Sequence, residues 1–258
     1  MQRKGRPLSP GELERYDRQL RIPTFSHEIQ QRLKKSKVAI LGLGGTGCPC
    51  AIYLSAAGVG EIRIVEHDKV ELSNLNRQIL YGECVLREYK VEVGTERLRD
   101  LNRDISLEAV KEKVTEKNVE ELIRACDFVV DGFDKVRDRL IVNQACLIAQ
   151  IPANHAFVHG FRGEVVTVIP GQGPCLRCFI DDQTALTSLS GVGNVIGVAA
   201  GVVGLFQATD VIKHLTSIGE IFPGQRLLVD LLDFTLYHLE QERRRNCPHC
   251  NHLQEDFQ

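Results

Sequence analysis

The sequence lacks a strong excess of charge of either sign and lacks any long apolar run. Its 258 residues contain 32 Lys and Arg against 34 Asp and Glu, a net charge of −2, which gives no indication of attraction to nucleic acid or to an acidic membrane surface. No apolar segment approaches the length needed to span a bilayer, and residues 1–11 lack the apolar stretch of a signal peptide. We therefore expect a cytoplasmic protein that binds neither nucleic acid nor a membrane.

Internal repeats and low-complexity tracts are also lacking. With 43% hydrophobic and 26% charged residues, the chain is long enough for one large α/β domain with a full core. Cysteine, in contrast, is plentiful, because the chain contains nine. In a cytoplasmic protein this number predicts thiolate chemistry or a metal site more than disulfide bonds.

The most informative segment lies between residues 38 and 78. An apolar run at 38–41 enters a glycine-rich turn, a helix of small residues follows, and a second apolar run at 62–65 ends in Glu66. The glycines of the turn are Gly42, Gly44, Gly45 and Gly47. This order of strand, glycine turn, helix, strand and acid is that of a dinucleotide-binding unit.

Each conspicuous residue of this unit has an expected role. Gly42 permits the tight turn, Gly44 lets backbone N–H groups approach a phosphate, and Gly47 lets helix and strand pack closely. Glu66 follows the last glycine by about twenty residues, where an acid can accept hydrogen bonds from a ribose.

The residues after Glu66 are not typical of a dehydrogenase. Asp68 and then the sequence SNLNRQ at 73–78 place amide and guanidinium groups beside the nucleotide, which indicates a site that acts on phosphate. The glycine turn alone would favour an NAD-dependent oxidoreductase. However, Asn74, Arg77, Lys90 and the cysteine pairs described below have no role in hydride transfer.

The apolar pattern predicts an α/β fold that is Rossmann-like, with a mainly parallel sheet and helices on both faces. We expect a single domain over residues 1–258, made of an N-terminal helical arm (1–36), a nucleotide-binding half (37–150) and a C-terminal half (151–258) with an antiparallel extension. Strands are predicted at 38–41, 62–65, 105–110, 128–130, 153–158, 164–169, 227–231 and 236–240. Helices are predicted over 10–35 with a break near Pro23, and over 87–101, 118–125, 135–149 and 195–215, the last of them buried.

Two Cys-x-x-Cys pairs, Cys175 with Cys178 and Cys247 with Cys250, are separated by about seventy residues. Two such turns supply the four sulfurs that a structural Zn²⁺ prefers, and a closed shell leaves no open position for substrate. A redox role for one pair and His249 as a substitute ligand are the alternatives. The other cysteines lie mostly in apolar surroundings and are expected to be small core residues rather than nucleophiles: Cys48, Cys50, Cys84, Cys126 and Cys146.

Together these motifs resemble the adenylyltransferases that activate ubiquitin-like sulfur carriers, the MoeB and ThiF enzymes, which are relatives of the adenylation domains of ubiquitin-activating enzymes. The resemblance extends from RYDRQ at 15–19 to the last cysteine pair. It implies attack of the C-terminal glycine carboxylate of a small β-grasp protein on the α-phosphate of ATP, giving an acyl-adenylate and pyrophosphate. A carboxylate is already ionised at neutral pH, so the reaction requires alignment and cations rather than a general base.

The resemblance also implies roles for individual residues. Arg77 and Lys90 match family residues that contact the phosphates, and Asp134 matches an aspartate associated with Mg²⁺. Asn74 matches a nucleotide-site asparagine, and Glu66 stands where the family has an acid on the ribose, more usually an aspartate.

A further match concerns the assembly. Arg18 corresponds to an arginine that reaches the ATP of the neighbouring subunit in family dimers, so we expect a homodimer in which Arg18 acts across the interface. The expected partner is a ubiquitin-like small protein that ends in Gly-Gly and docks on the antiparallel sheet and the loop at 181–194.

Two departures bear on the mechanism. Lys135 replaces an asparagine found in many relatives, and Ser188 stands where several relatives carry a loop cysteine that can link covalently to the carrier. Because serine is a poor substitute for a thiolate, we hypothesise that the enzyme stops at the acyl-adenylate. The alternatives are a thioester on another cysteine, with Cys84 the first candidate, for protein conjugation, and a pseudo-subunit without ATP turnover. Retention of all the matched site residues argues against the pseudo-subunit.

Overall fold

A computed structural model describes residues 7–180 and 194–251. Its strands are β1 (Lys37–Leu41), β2 (Glu61–Val65), β3 (Ser106–Val110), β4 (Phe128–Asp131), β5 (Ala153–His159), β6 (Arg162–Val168), β7 (Gln225–Asp230) and β8 (Thr235–Glu240). Its α-helices are α1 (Pro10–Arg15), α2 (Asp17–Leu20), α3 (His27–Lys35), α4 (Gly47–Ala57), α5 (Lys90–Leu101), α6 (Val119–Ile123), α7 (Val136–Ala149), α8 (Leu176–Phe179) and α9 (Gly197–Thr216). Short 3₁₀ turns lie at Leu72–Asn74 and Glu83–Val85.

All eight strands form one sheet in the order β3-β2-β1-β4-β5-β6-β7-β8. The strands from β3 to β5 in this order pair in parallel, whereas β5 to β8 pair antiparallel. The carboxyl ends of the parallel strands therefore meet along one edge. This arrangement confirms the predicted fold class, including the antiparallel extension. The single-domain division stays a prediction.

Helices cover both faces of the parallel part, as the fully apolar run at 128–130 predicted. On β1, Val38 and Ile40 pack into a core that includes residues of α3, α4, α5 and α9. Ala39 and Leu41 point to the opposite face, where α6 and α7 cover them. Burial on both faces explains why β1 and β4 contain no exposed position.

The helix α9 corrects one expectation. Its sequence is nearly all apolar, which predicted a buried helix. The helix packs against α3, α4 and the sheet, but eight of its 20 residues are buried and the others are at least partly exposed. Val198 is 62% exposed. In the part of the chain that the structure describes, no helix has the length and apolar character required to cross a membrane.

Candidate nucleotide site and cysteine cluster

A cavity of about 240 Å³ opens at the carboxyl ends of β1, β2 and β4, beside the residues that follow β3. Loops that leave neighbouring parallel strands are the expected place for a ligand in an open α/β sheet. The structure brings seven residues singled out from the sequence to its lining: Gly42, Gly44, Gly45, Glu66, Arg77, Lys90 and Asp134. Their individual roles stay predictions.

The glycine turn fits only because side chains are missing from it. Gly42 has a φ of +96°, a left-handed conformation that favours glycine. A Cβ on Gly47 would lie 2.1 Å from the carbonyl oxygen of Gly42, so the first turn of α4 can touch the end of β1 only without it. Gly132, after β4, is equally constrained, since its Cβ would lie 2.5 Å from the same oxygen. The turn is therefore closed against the end of β4.

Glu66 holds this turn from the side of β2. One carboxylate oxygen accepts the N–H of Leu43 at 3.1 Å, and the other accepts the N–H groups of His67 at 2.7 Å and Asp68 at 2.9 Å. The Leu43 carbonyl in turn accepts the Tyr81 hydroxyl at 2.9 Å. A carboxylate offers about four acceptor sites, so these three bonds leave room for a ribose hydroxyl. Glu66 thus orders the glycine turn in addition to its predicted contact.

Two cations border the cavity. Lys90 is the first residue of α5, its side chain is only 7% exposed, and its Nζ lies 3.7 Å from a carboxylate oxygen of Asp68. Arg77 is held by its Nη1, which donates to the Ser73 carbonyl at 2.9 Å and to the Asn76 side-chain oxygen at 3.1 Å. Both side chains therefore have protein partners that orient them beside the cavity, and such preorganisation favours electrostatic stabilisation of an anion.

Asn74 lies nearby but does not line the cavity. Its side-chain oxygen accepts the backbone N–H of Glu71 at 3.1 Å and closes the 3₁₀ turn that precedes Arg77. Its backbone carbonyl accepts from the N–H groups of Arg77 and Gln78. In this structure Asn74 therefore shapes the segment that carries Arg77, and its contact with nucleotide stays a prediction.

The cavity also contains residues that sequence reasoning did not assign. Gln78 is 5% exposed, and its side-chain oxygen has no partner among the described residues. His67, Lys113 and Asp138 also line the cavity, as does Lys135, the departure noted above. Lys113 follows β3 by three residues, so the rule that site residues follow parallel strands could have identified it. Asp138, inside α7, gave no comparable signal.

A larger cavity of about 530 Å³ adjoins the first. The two share Lys113, Val114, Lys135 and Asp138, and Ile141 adds apolar surface to the second. Most residues that line the second cavity are charged, and Val114 and Ile141 supply an apolar surface there against which a base could pack.

The carboxylates fit a hard cation. Asp134 and Asp138 both line the cavity that Arg77 and Lys90 also line, and Mg²⁺ prefers oxygen ligands together with phosphates. Asp134 is exposed and lines this cavity, so its carboxylate is available to such an ion. The donor set is thus suitable for magnesium.

Arg18 lies away from this cavity. It is an exposed residue of α2 and lines neither of the two cavities. Ser188 lies outside the described residues. Within one chain, then, the structure does not bring Arg18 to the site.

The four sulfurs of Cys175, Cys178, Cys247 and Cys250 lie within 4.8 Å of one another and are buried. The pairs Cys175 with Cys247 and Cys178 with Cys250 are each separated by 3.6 Å. A tetrahedron with Zn–S bonds of about 2.3 Å has edges of about 3.8 Å, so the cluster fits zinc. The ring of His249 contacts Asn143 of α7 at 3.0 Å instead, and His249 is not part of the sulfur cluster, which argues against it as a ligand.

The remaining thiols confirm the core interpretation with one exception. Cys48, Cys50, Cys126 and Cys146 are buried, and burial raises their pKa, in Cys48 to about 12 and in Cys126 to about 11. Cys84 is exposed and is therefore not a core residue. It follows the Arg77 segment but does not line the cavity.

The solved structures that resemble this fold include Escherichia coli MccB with ATP. That structure has a TM-score of 0.82 and 24% sequence identity, and the match covers 92% of this chain and 73% of the MccB chain. At this identity the likeness describes the fold alone.

Curated relatives are closer in sequence. Sulfur carrier protein adenylyltransferase from Thermus thermophilus is 38% identical, with 93% of this chain and 91% of the relative covered. SAMP-activating enzyme E1 from Haloferax volcanii is 35% identical, with 94% and 90% covered. Adenylyltransferase and sulfurtransferase MOCS3 from Sus scrofa is 37% identical with 94% of this chain covered. The chain spans about half of that relative's length, 54%.

The ThiF family profile matches residues 16–250. That range contains the glycine turn, the Arg77 segment and all four clustered cysteines. By this match and by its relatives at 35–38% identity, the chain belongs to the ThiF family, which confirms the resemblance inferred from its sequence.

Proposed function

We propose that this protein adenylates the C-terminal glycine carboxylate of a ubiquitin-like carrier protein, with ATP as the second substrate. The observation that carries the proposal is the cavity in which the glycines of the glycine-rich turn lie beside the cations of Arg77 and Lys90. The family membership and the names of the curated relatives support the same reaction.

The proposed reaction exchanges one bond for another at phosphorus. A carboxylate oxygen of the carrier attacks the α-phosphorus of ATP, the bond from that phosphorus to the bridging oxygen breaks, and pyrophosphate leaves with the electron pair. No proton is transferred. The main requirement is to hold two anions in line and to stabilise the charge that develops on the leaving phosphates.

The residues of this chain meet that requirement in different ways. Backbone N–H groups at Gly44 and Gly45 face the phosphates, and the guanidinium of Arg77 and the ammonium of Lys90 oppose their charge. Glu66 accepts from the ribose with its remaining capacity, and the base occupies the adjoining cavity beside Val114 and Ile141. Magnesium bound by Asp134 would supply further neutralisation of the phosphates.

A homodimer would complete the site. Arg18 is exposed and remote from the cavity of its own chain, so a role at the phosphates requires a second copy. Apolar side chains near the Arg77 segment support such contact: Ile79 is 64% and Val198 is 62% exposed. The tight packing of Gly197 against the Asn76 carbonyl, where a Cβ would approach to 2.2 Å, keeps the start of α9 beside that segment.

The carrier would dock on the antiparallel extension. β8 is an edge strand with solvent-exposed apolar side chains: Leu236 is 55% exposed and Tyr237 is 47% exposed. In the turn before it, Phe234 is 86% exposed and has a φ of +57°. A left-handed backbone costs about 1 kcal/mol or more for a residue other than glycine. An exposed aromatic side chain held at that cost is consistent with a contact surface.

The proposed endpoint is the acyl-adenylate, used for sulfur transfer. The loop position that could supply a thiol is Ser188, and four of the five cysteines outside the cluster are buried. Because Cys84 is exposed, formation of a thioester for protein conjugation is the second candidate function. A DTT-sensitive enzyme–carrier adduct that forms with ATP and is lost in Cys84→Ser would replace the first proposal with the second.

The decisive experiment is exchange of labelled pyrophosphate into ATP, with small proteins ending in Gly-Gly from the same genome as candidate carriers. We expect exchange with one of them and a loss of about a hundredfold or more in Arg77→Ala, since one donor to a transition-state anion typically contributes this much. Arg97→Ala, an exposed arginine on α5, is the matched control. Equal rates for the two variants would contradict the placement of the site.

The proposed action of Arg18 across a dimer interface is tested by co-expressing two inactive variants. Arg18→Ala and Arg77→Ala are each expected to be inactive, but a mixed dimer contains one site with both arginines intact. Co-expression should therefore recover about a quarter of the wild-type rate if subunits pair at random in a symmetric dimer. No recovery, together with an inactive Arg18→Ala, would contradict action across the interface.

A further inference from the structure

The turn that presents Asp134 to the cavity is held by charged side chains beneath it. Phe133, the preceding residue, has both of its backbone polar groups engaged: its N–H donates to the Asp131 carboxylate at 2.9 Å, and its carbonyl accepts from Nη2 of Arg139 at 2.5 Å. Asp131 is fully buried and Arg139 is 5% exposed. The position of Asp134 is therefore set by groups that do not line the cavity themselves.

His155, from the neighbouring strand β5, completes the cluster. Its Nδ1 lies 2.7 Å from the second carboxylate oxygen of Asp131, and both side chains are fully buried. An ionised carboxylate can only accept, so Nδ1 carries the proton and fixes the rotation of the carboxylate. The Nε2 atom has no partner among the described residues. One hydrogen bond thus links β5 to the turn after β4.

Arg139 anchors the other side of the turn. Its Nη1 donates to the carbonyl of Ala156, also on β5, and its guanidinium lies 4.1 Å from the centre of the Phe157 ring. Burial lowers the pKa of Arg139, while the nearby charges of Asp131 and Asp134 oppose that shift. The guanidinium stays charged at neutral pH because its ordinary pKa is so high.

Stability alone is a weak reason for such a cluster. Buried ion pairs often contribute no more to stability than apolar side chains of similar volume, because removing charges from water is costly. Here the charged groups converge on the backbone of one residue, next to the carboxylate that we assign to magnesium.

We propose that Asp131, Arg139 and His155 are positioning residues: they form a clamp that fixes the backbone of Phe133 and thereby aims Asp134 at the metal–nucleotide complex. The proposal rests on the proposed function, because Asp134 matters only if a metal-bound nucleotide occupies the cavity. Side chains that orient a ligating carboxylate typically change metal affinity by about 10–100-fold when they are removed.

The test compares two substitutions at one position. His155→Leu removes the donor to Asp131 and keeps an apolar side chain of similar length, whereas His155→Asn retains a donor near the position of Nδ1. Mn²⁺ serves as the probe, titrated in the presence of a non-hydrolysable ATP analogue and followed by electron paramagnetic resonance. We expect His155→Leu to weaken Mn²⁺ binding by about tenfold and His155→Asn to restore most of it.

A control separates positioning from general loss of stability. Asn102→Leu removes a fully buried amide that bonds the Tyr16 hydroxyl at 3.0 Å and the Ser55 carbonyl at 2.8 Å, at the far end of α4. It should lower the melting temperature without changing Mn²⁺ affinity. If His155→Leu does not fold, Arg139→Met removes the other arm of the clamp and should weaken Mn²⁺ binding similarly.

Two results would overturn the clamp. One is a folded His155→Leu with wild-type Mn²⁺ affinity, and the other is an equal loss in His155→Asn and His155→Leu. The proposed function fails separately: wild-type protein that binds Mn²⁺ and the ATP analogue but exchanges pyrophosphate with no carrier contradicts carrier adenylation, while the clamp still stands or falls on the Mn²⁺ affinities.

Discussion

The parallel and antiparallel parts of the sheet differ in how they are held together and in what they expose. In the parallel part, β1 and β4 are buried along their whole length, and the polar residues gather at the carboxyl ends of the strands. In the antiparallel part, β8 is exposed to solvent at every position but the first, which is half-buried. The chain beyond β8 contains two of the four clustered cysteines.

The difference follows from how strands can be connected. Parallel neighbours need a crossover, and the crossover helices cover the sheet on both sides. Antiparallel neighbours need only a short turn, such as the one between β7 and β8, so this connection adds no helix over β8. The longer connection between β6 and β7 contains α9, which packs on β6. In the parallel part, complete packing can make the loops at the strand ends rigid enough for chemistry. In the antiparallel part, packing is incomplete and apolar surface remains available for a partner protein. A metal can then stabilise the C-terminal tail.

The largest effect is expected when the zinc predicted at the cysteine cluster is removed, which should disturb the antiparallel part of the sheet and not the parallel part. Cys247→Ser, or a strong zinc chelator, should lower the free energy of unfolding by roughly 5 kcal/mol or more, since structural zinc contributes at least this much in small zinc domains. We expect the tail to detach first and ATP binding to persist at low temperature, measured by calorimetry. Cys84→Ser, an exposed thiol outside the cluster, should change neither. Simultaneous loss of the tail and of ATP binding would show that the two parts are not separable.

The next effect concerns the parallel part alone. In Gly47→Ala the new Cβ would meet the Gly42 carbonyl oxygen at 2.1 Å, so the glycine turn must move. Overpacking of this kind costs about 1–3 kcal/mol of folding free energy. The displaced turn should also lose contacts with the nucleotide, and we expect ATP binding to weaken by more than tenfold, which corresponds to more than about 1.4 kcal/mol. Gly201→Ala is the control, because nothing lies within 4 Å of its Cβ and alanine favours a helix. Unchanged ATP affinity in Gly47→Ala would mean that the turn does not contact the nucleotide.

A smaller effect is expected on the antiparallel surface. Phe234→Gly should raise the KM for the carrier by about tenfold, the effect of losing a typical contact residue, and leave the KM for ATP unchanged. The melting temperature should not fall, because glycine tolerates the φ of +57° at this position. Tyr53→Ala, an aromatic residue of α4 that is 56% exposed, is the comparison. If Phe234→Gly, Tyr53→Ala and the wild type have the same KM for the carrier, β8 and the turn before it are not part of the docking surface.

The smallest effect concerns the chemical reactivity of buried and exposed thiols and leaves enzyme activity unchanged. Burial raises the pKa of Cys48 to about 12 and of Cys126 to about 11, so these groups stay protonated and unreactive at pH 8. Iodoacetamide should therefore label Cys84 alone in the native protein, and the clustered cysteines only after treatment with a chelator, as read by mass spectrometry. Labelling of Cys48 or Cys126 in native protein at pH 8 would contradict the closed packing of the parallel part.

The features that could be predicted from sequence are those carried by short spacings. The glycine turn and Glu66 lie within one strand–helix–strand unit, and each Cys-x-x-Cys pair is complete within four residues, so local chemistry identifies them. The antiparallel pairing of β5 and β6 was predicted for the same reason, because few residues separate the two strands.

Other features depended on contacts between distant segments. Gln78 and Asp138 reach the cavity only because β1, β2 and β4 are neighbours, and His155 meets Asp131 only because β5 pairs with β4. The burial of α9 was overestimated because an apolar helix can be covered on one side only. No local pattern encodes how many neighbours a helix has.

The sequence by itself thus determined the elements, the family and seven of the residues around the cavity, because glycine conformations, strand patterning and metal-ligand spacing are local properties. Only the tertiary structure decided that Asn74 supports the Arg77 segment, that Arg18 is remote from its own cavity and that a buried cluster holds the turn before Asp134. Those relations depend on which strands pair and which faces are covered, and these are settled by packing over the whole chain.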